Sequence, residues 1–148
     1  MSETVRLIRY DELEKLLSLY QQLHPEDPYV RGRESLETLW NEIYNDPNLH
    51  YLVIEKDEKI ISSCSLAIIK NLTRNLRPYG LIENVITYSG YRKNGYGTKV
   101  LHKAVEIAEE NNCYKVMLLT GSKTKETLSF YEKAGFIQGI KTGFIKNL

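Results

Sequence analysis

Cysteine is scarce: only Cys64 and Cys113 occur in the 148 residues. Each sits in an apolar run, which reads as two buried, reduced thiols rather than a disulfide. The cysteines and the three histidines are too scattered for ligand spacing, so no metal is expected. Neither sign of charge is in excess. A net charge of +1 excludes a general nucleic-acid binder, because no surplus of cations exists to neutralise a phosphate backbone. No apolar stretch is long enough to span a membrane. The chain starts on polar Met1-Ser2-Glu3-Thr4 rather than a secretory signal, so the cytoplasm is the expected compartment. The Asn71-Leu72-Thr73 glycosylation sequon is then without consequence. No repeat, low-complexity run or linker breaks the chain.

What is present is ordinary for a globular domain: 42% hydrophobic and 26% charged residues. One domain spanning 1–148 is expected. Thr4 to Arg9 reads as a strand. Asp11 is placed to cap a helix, with Glu14 completing a capping box. Leu13, Leu16, Leu17, Tyr20 and Leu23 then recur at helical spacing, and Pro25 and Pro28 end the run. After a polar loop, Ser35 is a second N-cap, for a helix with Leu36, Leu39, Trp40 and Ile43 on one face. A hairpin follows, Tyr51 to Ile54 and Ile60 to Ile69 around Asp57-Glu58. A polar connection holds Arg74 and Arg77. Leu81 to Tyr88 is a central strand, Lys99 to Ala108 a helix and Val116 to Leu119 a buried strand. Thr124 to Lys133 is a last helix, with Gly135 as its C-cap. Phe136 to Ile140 and Gly143 to Lys146 are read as short final strands. The order β-α-α-β-β-β-α-β-α-β predicts an α/β (α+β) architecture, a mixed sheet of about six or seven strands flanked by about four helices. Strand edges at the C-terminal end need covering, which makes a homodimer one expected state.

The most informative stretch is Tyr91-Arg92-Lys93-Asn94-Gly95-Tyr96-Gly97-Thr98, between the central strand and a helix. Glycines let a backbone approach an anion, successive N–H groups converge, and the helix dipole adds positive charge. A diphosphate is the candidate ligand; a plain strand-to-helix turn is the bland reading. The nucleotide P-loop spacing is absent. The dinucleotide fingerprint is also incomplete, because Val100 stands where its third glycine would be. Arg92-x-x-Gly95-x-Gly97 does, however, resemble the pyrophosphate signature of the GNAT superfamily of N-acetyltransferases. Leu128-Ser129-Phe130-Tyr131-Glu132-Lys133-Ala134-Gly135-Phe136 resembles that family's closing Tyr-x-x-x-Gly-Phe signature, in the family's order. Ile82-Glu83-Asn84-Val85 and Cys113-Tyr114-Lys115-Val116 look most like glucosamine-6-phosphate N-acetyltransferases within it.

The resemblance implies the GNAT fold, with acetyl-CoA as cofactor. Its diphosphate would lie on Arg92, Lys93, Asn94, Gly95, Tyr96, Gly97 and Thr98. Backbone groups of Val85, Ile86 and Thr87 would pair with pantetheine and polarise the thioester. Tyr131 would protonate the leaving thiolate, against the bland reading of a core aromatic. Thr124 stands where the family often has an asparagine on pantetheine. Lys133, with Lys123 and Lys125, is a candidate for the ribose phosphate or a solvated face. Glu83 is the candidate base, and a structural salt bridge is its other reading. Strict alternation places Glu83, Val85 and Thr87 on one face. Arg74 and Arg77 are candidates to clamp an anionic acceptor, or a solvated loop. Tyr29, Arg31, Arg33 and Trp40 fall in the helix pair that covers the family's acceptor pocket. The function implied is acetyl transfer to a primary amine of a small molecule, by direct attack in a ternary complex. A non-catalytic acyl-CoA-binding module, an enzyme for another acyl-CoA and a protein lysine or N-terminal acetyltransferase are the rivals.

Overall fold

A two-residue strand, β1 (Arg6–Leu7), opens the sheet of the computed structural model, which describes residues 3–27 and 34–148. Pro28, Tyr29, Arg31 and Arg33 lie outside the described residues. Two helices follow, α1 (Leu13–Leu23) and α2 (Glu34–Tyr44). The hairpin is β2 (Leu49–Lys56) and β3 (Lys59–Ile69). Asp57 and Glu58 close it with φ of 53° and 61°, as a two-residue turn with right-handed strand twist requires. Then come β4 (Tyr79–Thr87), α3 (Tyr96–Glu110), β5 (Val116–Leu118) and α4 (Lys125–Lys133). The strands lie in the order β1-β2-β3-β4-β5, antiparallel except for the parallel β4–β5 pair.

Each face of the sheet has its own core. Leu16, Leu19 and Trp40 from α1 and α2 pack on Val53, Ile60 and Ile86. Val100, Leu101, Ala104 and Ala108 of α3 pack on Leu52, Ile61, Cys64 and Ile82 on the other face, where Phe130 and Tyr131 of α4 and its C-cap residue Ala134 join them. Both cysteines are free thiols. α4 ends as read from the sequence: Gly135 has φ 101°, and the Phe136 N–H returns to the Tyr131 carbonyl at 3.0 Å.

Ser35 lies inside the first turn of α2 rather than capping it, because the helix already starts at Glu34. Three further expectations change. The described sheet has five strands, not six or seven, because residues 136–148 contain no strand. α3 starts at Tyr96 rather than Lys99, so the glycine turn merges into its first turn. Asp11 is not the first cap. It lies inside a 3-10 turn (Tyr10–Glu12) before α1, and it is Glu12 that accepts the Arg9 N–H at 2.8 Å.

Glu12 is 3% exposed and accepts both Arg6 guanidinium nitrogens at 2.8 Å. Arg6 also binds Glu55 at 3.0 Å, which takes Lys15 at 2.7 Å, so the network staples β1, α1 and β2 together. The bonded Arg6 guanidinium holds the Glu12 carboxyl at about 2 against the opposing effect of burial, with the Arg9 amide assisting. The folded value lies below the unfolded one. The stabilisation is therefore complete above pH about 5 and is lost as pH falls toward 2. Glu12→Gln is expected to cost about 2–3 kcal/mol at neutral pH. Urea unfolding should show that gap closing between pH 5 and pH 2, about the two ends of that titration; a constant gap would contradict it.

Candidate active site

The site begins with an irregularity in β4. Ser65 pairs with Glu83 and Ser63 with Ile86, so Asn84 and Val85 together oppose Cys64. Asn84 has φ 51°, the left-handed conformation that asparagine tolerates better than most residues. This is a β-bulge, and one inserted residue reverses the side-chain alternation beyond it. Val85 consequently packs toward α3 and α4, and Ile86 toward α1 and α2. Glu83, paired with Ser65, shares the face of Ile86 rather than that of Val85 and Thr87. The single face expected for Glu83, Val85 and Thr87 is thus corrected by the bulge.

β5 leaves β4 early. Their pairing ends at Ile82 opposite Leu118, so Glu83 to Thr87 have no strand neighbour on that side. The opening is a backbone edge at the centre of the fold, where polar main-chain groups ordinarily require a partner.

The basic turn follows at the end of this edge. Arg92 Nε donates to the Thr87 carbonyl at 3.2 Å. Asn94 Nδ2 donates to the carbonyls of Tyr91 and Arg92, each at 3.1 Å. These bonds take up carbonyl oxygens, while the N–H groups of Lys93, Asn94 and Gly95 have no backbone acceptor among the described residues. Lys93 and Gly95 have φ of 65° and 83°, an alternation that makes an anion-binding concavity. The first bond within α3 is from Lys99 N–H to the Gly95 carbonyl at 3.1 Å, so the N–H groups of Tyr96, Gly97 and Thr98 have no partner in the helix. Gly97 is needed for a different reason: a β-carbon there would stand 2.9 Å from the Phe130 ring of α4. The Tyr96 side chain points inward and takes a bond from Lys56 at 3.1 Å, so Tyr96 offers its amide only.

Tyr131 reaches the same face from α4, half-buried, with edge-on contacts to Phe130 at 5.0 Å and Phe136 at 6.4 Å. Burial chiefly, and Cys64 nearby, raise its phenol pKa. Glu83 is exposed and makes no ion pair among the described residues. Tyr131 and Glu83 therefore flank the open edge from opposite faces.

Other expected residues are not drawn into this group. The Thr124 hydroxyl caps α4, accepting the Thr127 N–H at 3.2 Å. Lys133 is exposed in the last turn of α4. Arg77 bonds the carbonyls of Asn112 and Cys113 at 3.1 and 2.9 Å, closing the end of α3. Arg74 lies over the Tyr114 ring at 5.4 Å. Both arginines sit before β4, roughly 25 Å of strand from the turn at about 3.3 Å per residue. The structure does not assemble the expected clamp. Conversely, the Tyr20 hydroxyl of α1 is buried beside Asn84 without a well-formed hydrogen bond, and burial raises its pKa. Its helical spacing had marked it only as a core residue.

The Acetyltransferase (GNAT) family profile matches residues 15–136. A glucosamine 6-phosphate N-acetyltransferase of Trypanosoma brucei brucei is 38% identical over 53% of this chain and 51% of its own length. Human N-alpha-acetyltransferase 30 is 29% identical over 91% of this chain and 36% of its own. The chain thus spans about half the length of the first of these relatives and 36% of the second. Among solved structures, a putative acetyltransferase from Agrobacterium tumefaciens superposes with TM-score 0.92 at 40% identity, covering 98% of this chain and 99% of that one. The Arabidopsis thaliana glucosamine-6-phosphate N-acetyltransferase gives 0.81 at 28% identity, covering 100% and 99%.

Gly95 has open space where a β-carbon would stand, so only its left-handed backbone penalises a side chain. Gly95→Ala is expected to cost about 1 kcal/mol in urea unfolding, and Gly95→Asn less, because asparagine tolerates that region. An alanine variant as stable as the parent would show that the turn does not depend on this conformation.

Proposed function

The chain belongs to the acetyltransferase (GNAT) family, and on that premise we propose that it is an acetyl-CoA-dependent N-acetyltransferase acting on a primary amine of a small molecule. The observation that carries this reading is the amide-rich turn at Arg92–Thr98 lying at the end of the open β4 edge. Free amides, two positive-φ residues and a helix N-terminus suit a diphosphate. The unpaired edge suits an amide-bearing arm such as pantetheine. Acetyl-CoA supplies an activated acetyl thioester.

The chain's own groups then have distinct tasks. Amides from Lys93 to Thr98, with the charges of Arg92 and Lys93, hold the diphosphate. Backbone N–H groups of Val85 to Thr87 orient the arm and stabilise negative charge developing on the acyl oxygen. Glu83, or water beside it, receives the proton of the acceptor amine. Tyr131 holds a proton on the opposite face for the departing sulfur. Its raised pKa keeps it in the donating form through the neutral range. Direct attack is favoured over a covalent enzyme species: Cys64 is buried, bonded to the Val100 carbonyl at 3.5 Å, and raised by burial to about 12.

The trypanosomal relative and the Arabidopsis neighbour support an amino sugar phosphate as acceptor. Arg74 and Arg77 are committed elsewhere and are left out of this acceptor site. A protein N-terminus is the second reading, supported by the match to human N-alpha-acetyltransferase 30 across 91% of the chain.

CoA thiol release with acetyl-CoA and a panel of glucosamine 6-phosphate, polyamines, amino acids and peptides tests the proposal. Tyr131→Phe is expected to lower kcat about 10- to 100-fold while leaving the Kd for acetyl-CoA nearly unchanged. The Tyr131 limb of the pH profile should lie above the usual tyrosine range, because burial opposes ionisation. Glu83→Gln is expected to slow turnover without weakening acetyl-CoA binding, in contrast to Arg92→Ala, which should raise its KM. Tight binding with no turnover on any amine would favour a regulatory acyl-CoA-binding module.

A further inference from the structure

On the acetyl-transfer reading, we infer that Tyr20 is a positioning residue: its buried hydroxyl holds the Asn84 side chain and, through it, the β4 bulge that sets the direction of the Val85 and Ile86 amides. The Tyr20 hydroxyl is shut off from solvent and has no hydrogen-bond partner of normal geometry among the described residues. An orphaned buried donor costs stability, and phenylalanine would fill the same place in the core without that cost. Such a group marks a place where something other than stability is served. Closed to solvent, the hydroxyl cannot meet an acceptor directly. Its polar neighbour is Asn84, which is exposed on β4.

The surroundings of the bulge show why it needs a brace from α1. Ser62, Ser63 and Ser65 interrupt the apolar run of β3, and all are buried. Ser65 Oγ donates to the Glu83 carbonyl at 3.2 Å, and Ser62 Oγ to the Ile86 carbonyl at 3.3 Å. β3 thus ties β4 down on both sides of the bulge. Between those anchors, Asn84 and Val85 share one opposite residue on β3 and have no strand on the other side. Asn84 also carries the unfavourable φ of 51°. The last turn of α1 supplies what β3 leaves out. Gln22 Oε1 accepts the Ser89 N–H at 3.0 Å, just past the end of β4. Tyr20 reaches the bulge itself. Cys64, opposite the bulge, lies within electrostatic range of both Tyr20 and Tyr131, so the two phenols approach it from opposite faces of the sheet.

The contact between the Tyr20 hydroxyl and Asn84 falls short of ideal geometry. Hydrogen bonds at a catalytic site are often long before ligands bind and tighten in the complex. Tyr20 then acts on the reaction without touching the reactants. A bulge that relaxes slightly moves the amides that steady the acyl oxygen, and small misplacements there lower a rate steeply.

Tyr20→Phe tests the inference, because it removes one oxygen and keeps the ring. Expected are a kcat about tenfold lower, an unchanged Kd for acetyl-CoA, and a melting temperature equal to or above the parent's. In proton–nitrogen correlation spectra the Val85 and Ile86 amide resonances should move, with CoA absent or present. Asn84→Gly keeps access to the left-handed backbone and removes the side-chain amide. Adding Tyr20→Phe to it should cause no further loss of rate. An unchanged kcat would overturn the inference, as would unmoved amides or losses that multiply in the double variant. So would a clear fall in melting temperature, which would return Tyr20 to an ordinary place in the core. If no amine in the panel were turned over, the acetyl-transfer reading would fail, and the amide resonances alone would decide: moved ones support the brace on the bulge, unmoved ones overturn it.

Discussion

The bulge at Asn84 is the constraint on which the rest of the site depends. A regular β4 would continue its pairing and present alternate residues to alternate faces without interruption. With one extra residue opposite Cys64, the strand bends, and the side chains on either side of the bulge change partners. Val85 and Thr87 turn toward α3 and α4, and Glu83 stays with α1 and α2. In the proposed reaction, Glu83 as proton acceptor and Tyr131 as proton donor then face one reacting centre from two sides without being in contact.

The turn that follows is held by hydrogen bonds from its neighbours. Tyr91 bonds Asp57 at 2.7 Å, Lys56 bonds Tyr96 at 3.1 Å, and Arg92 bonds Thr87 at 3.2 Å. The β2–β3 hairpin therefore braces the turn from outside, and β4 braces it from behind. Preorganised amides bind an anion without a further ordering cost, which is what makes a short run of backbone an adequate site. Phe130 closes the arrangement from α4, and Gly97 is the residue that admits it.

Much of this was legible in the sequence because it rests on local chemistry. The 3.6-residue spacing of Val100, Leu101, Ala104 and Ala108, the Asp57-Glu58 turn and the Gly135 stop each require only neighbours along the chain. The Arg92 to Thr98 turn was legible for the same reason. What was not legible depends on pairing between distant segments. The bulge at Asn84 exists only against Cys64, and strict alternation therefore misassigned Glu83. Arg74 and Arg77 read as free cations because nothing local shows that Asn112 and Cys113 would present carbonyls to Arg77. Tyr20 read as core, since its hydroxyl meets Asn84 only after the sheet forms. The final strands failed similarly: residues 136–148 have strand-like composition, but a strand requires a neighbour, and none lies within the described chain.

One cause links the cleft to that unpaired end. For β4 to offer a free edge from Glu83 onward, β5 must diverge after Leu118, and a strand that diverges early is short. A short terminal strand anchors little, so the chain beyond α4 has few partners to fold back upon. The opening useful for a ligand and the exposed edge of the sheet are two sides of the same three-residue strand. Lengthening β5 to protect the edge would continue its ladder along β4 and close the cleft. Shortening β4 would remove the bulge and the turn together. A fold that keeps its cleft by truncating β5 therefore keeps an open sheet edge with it.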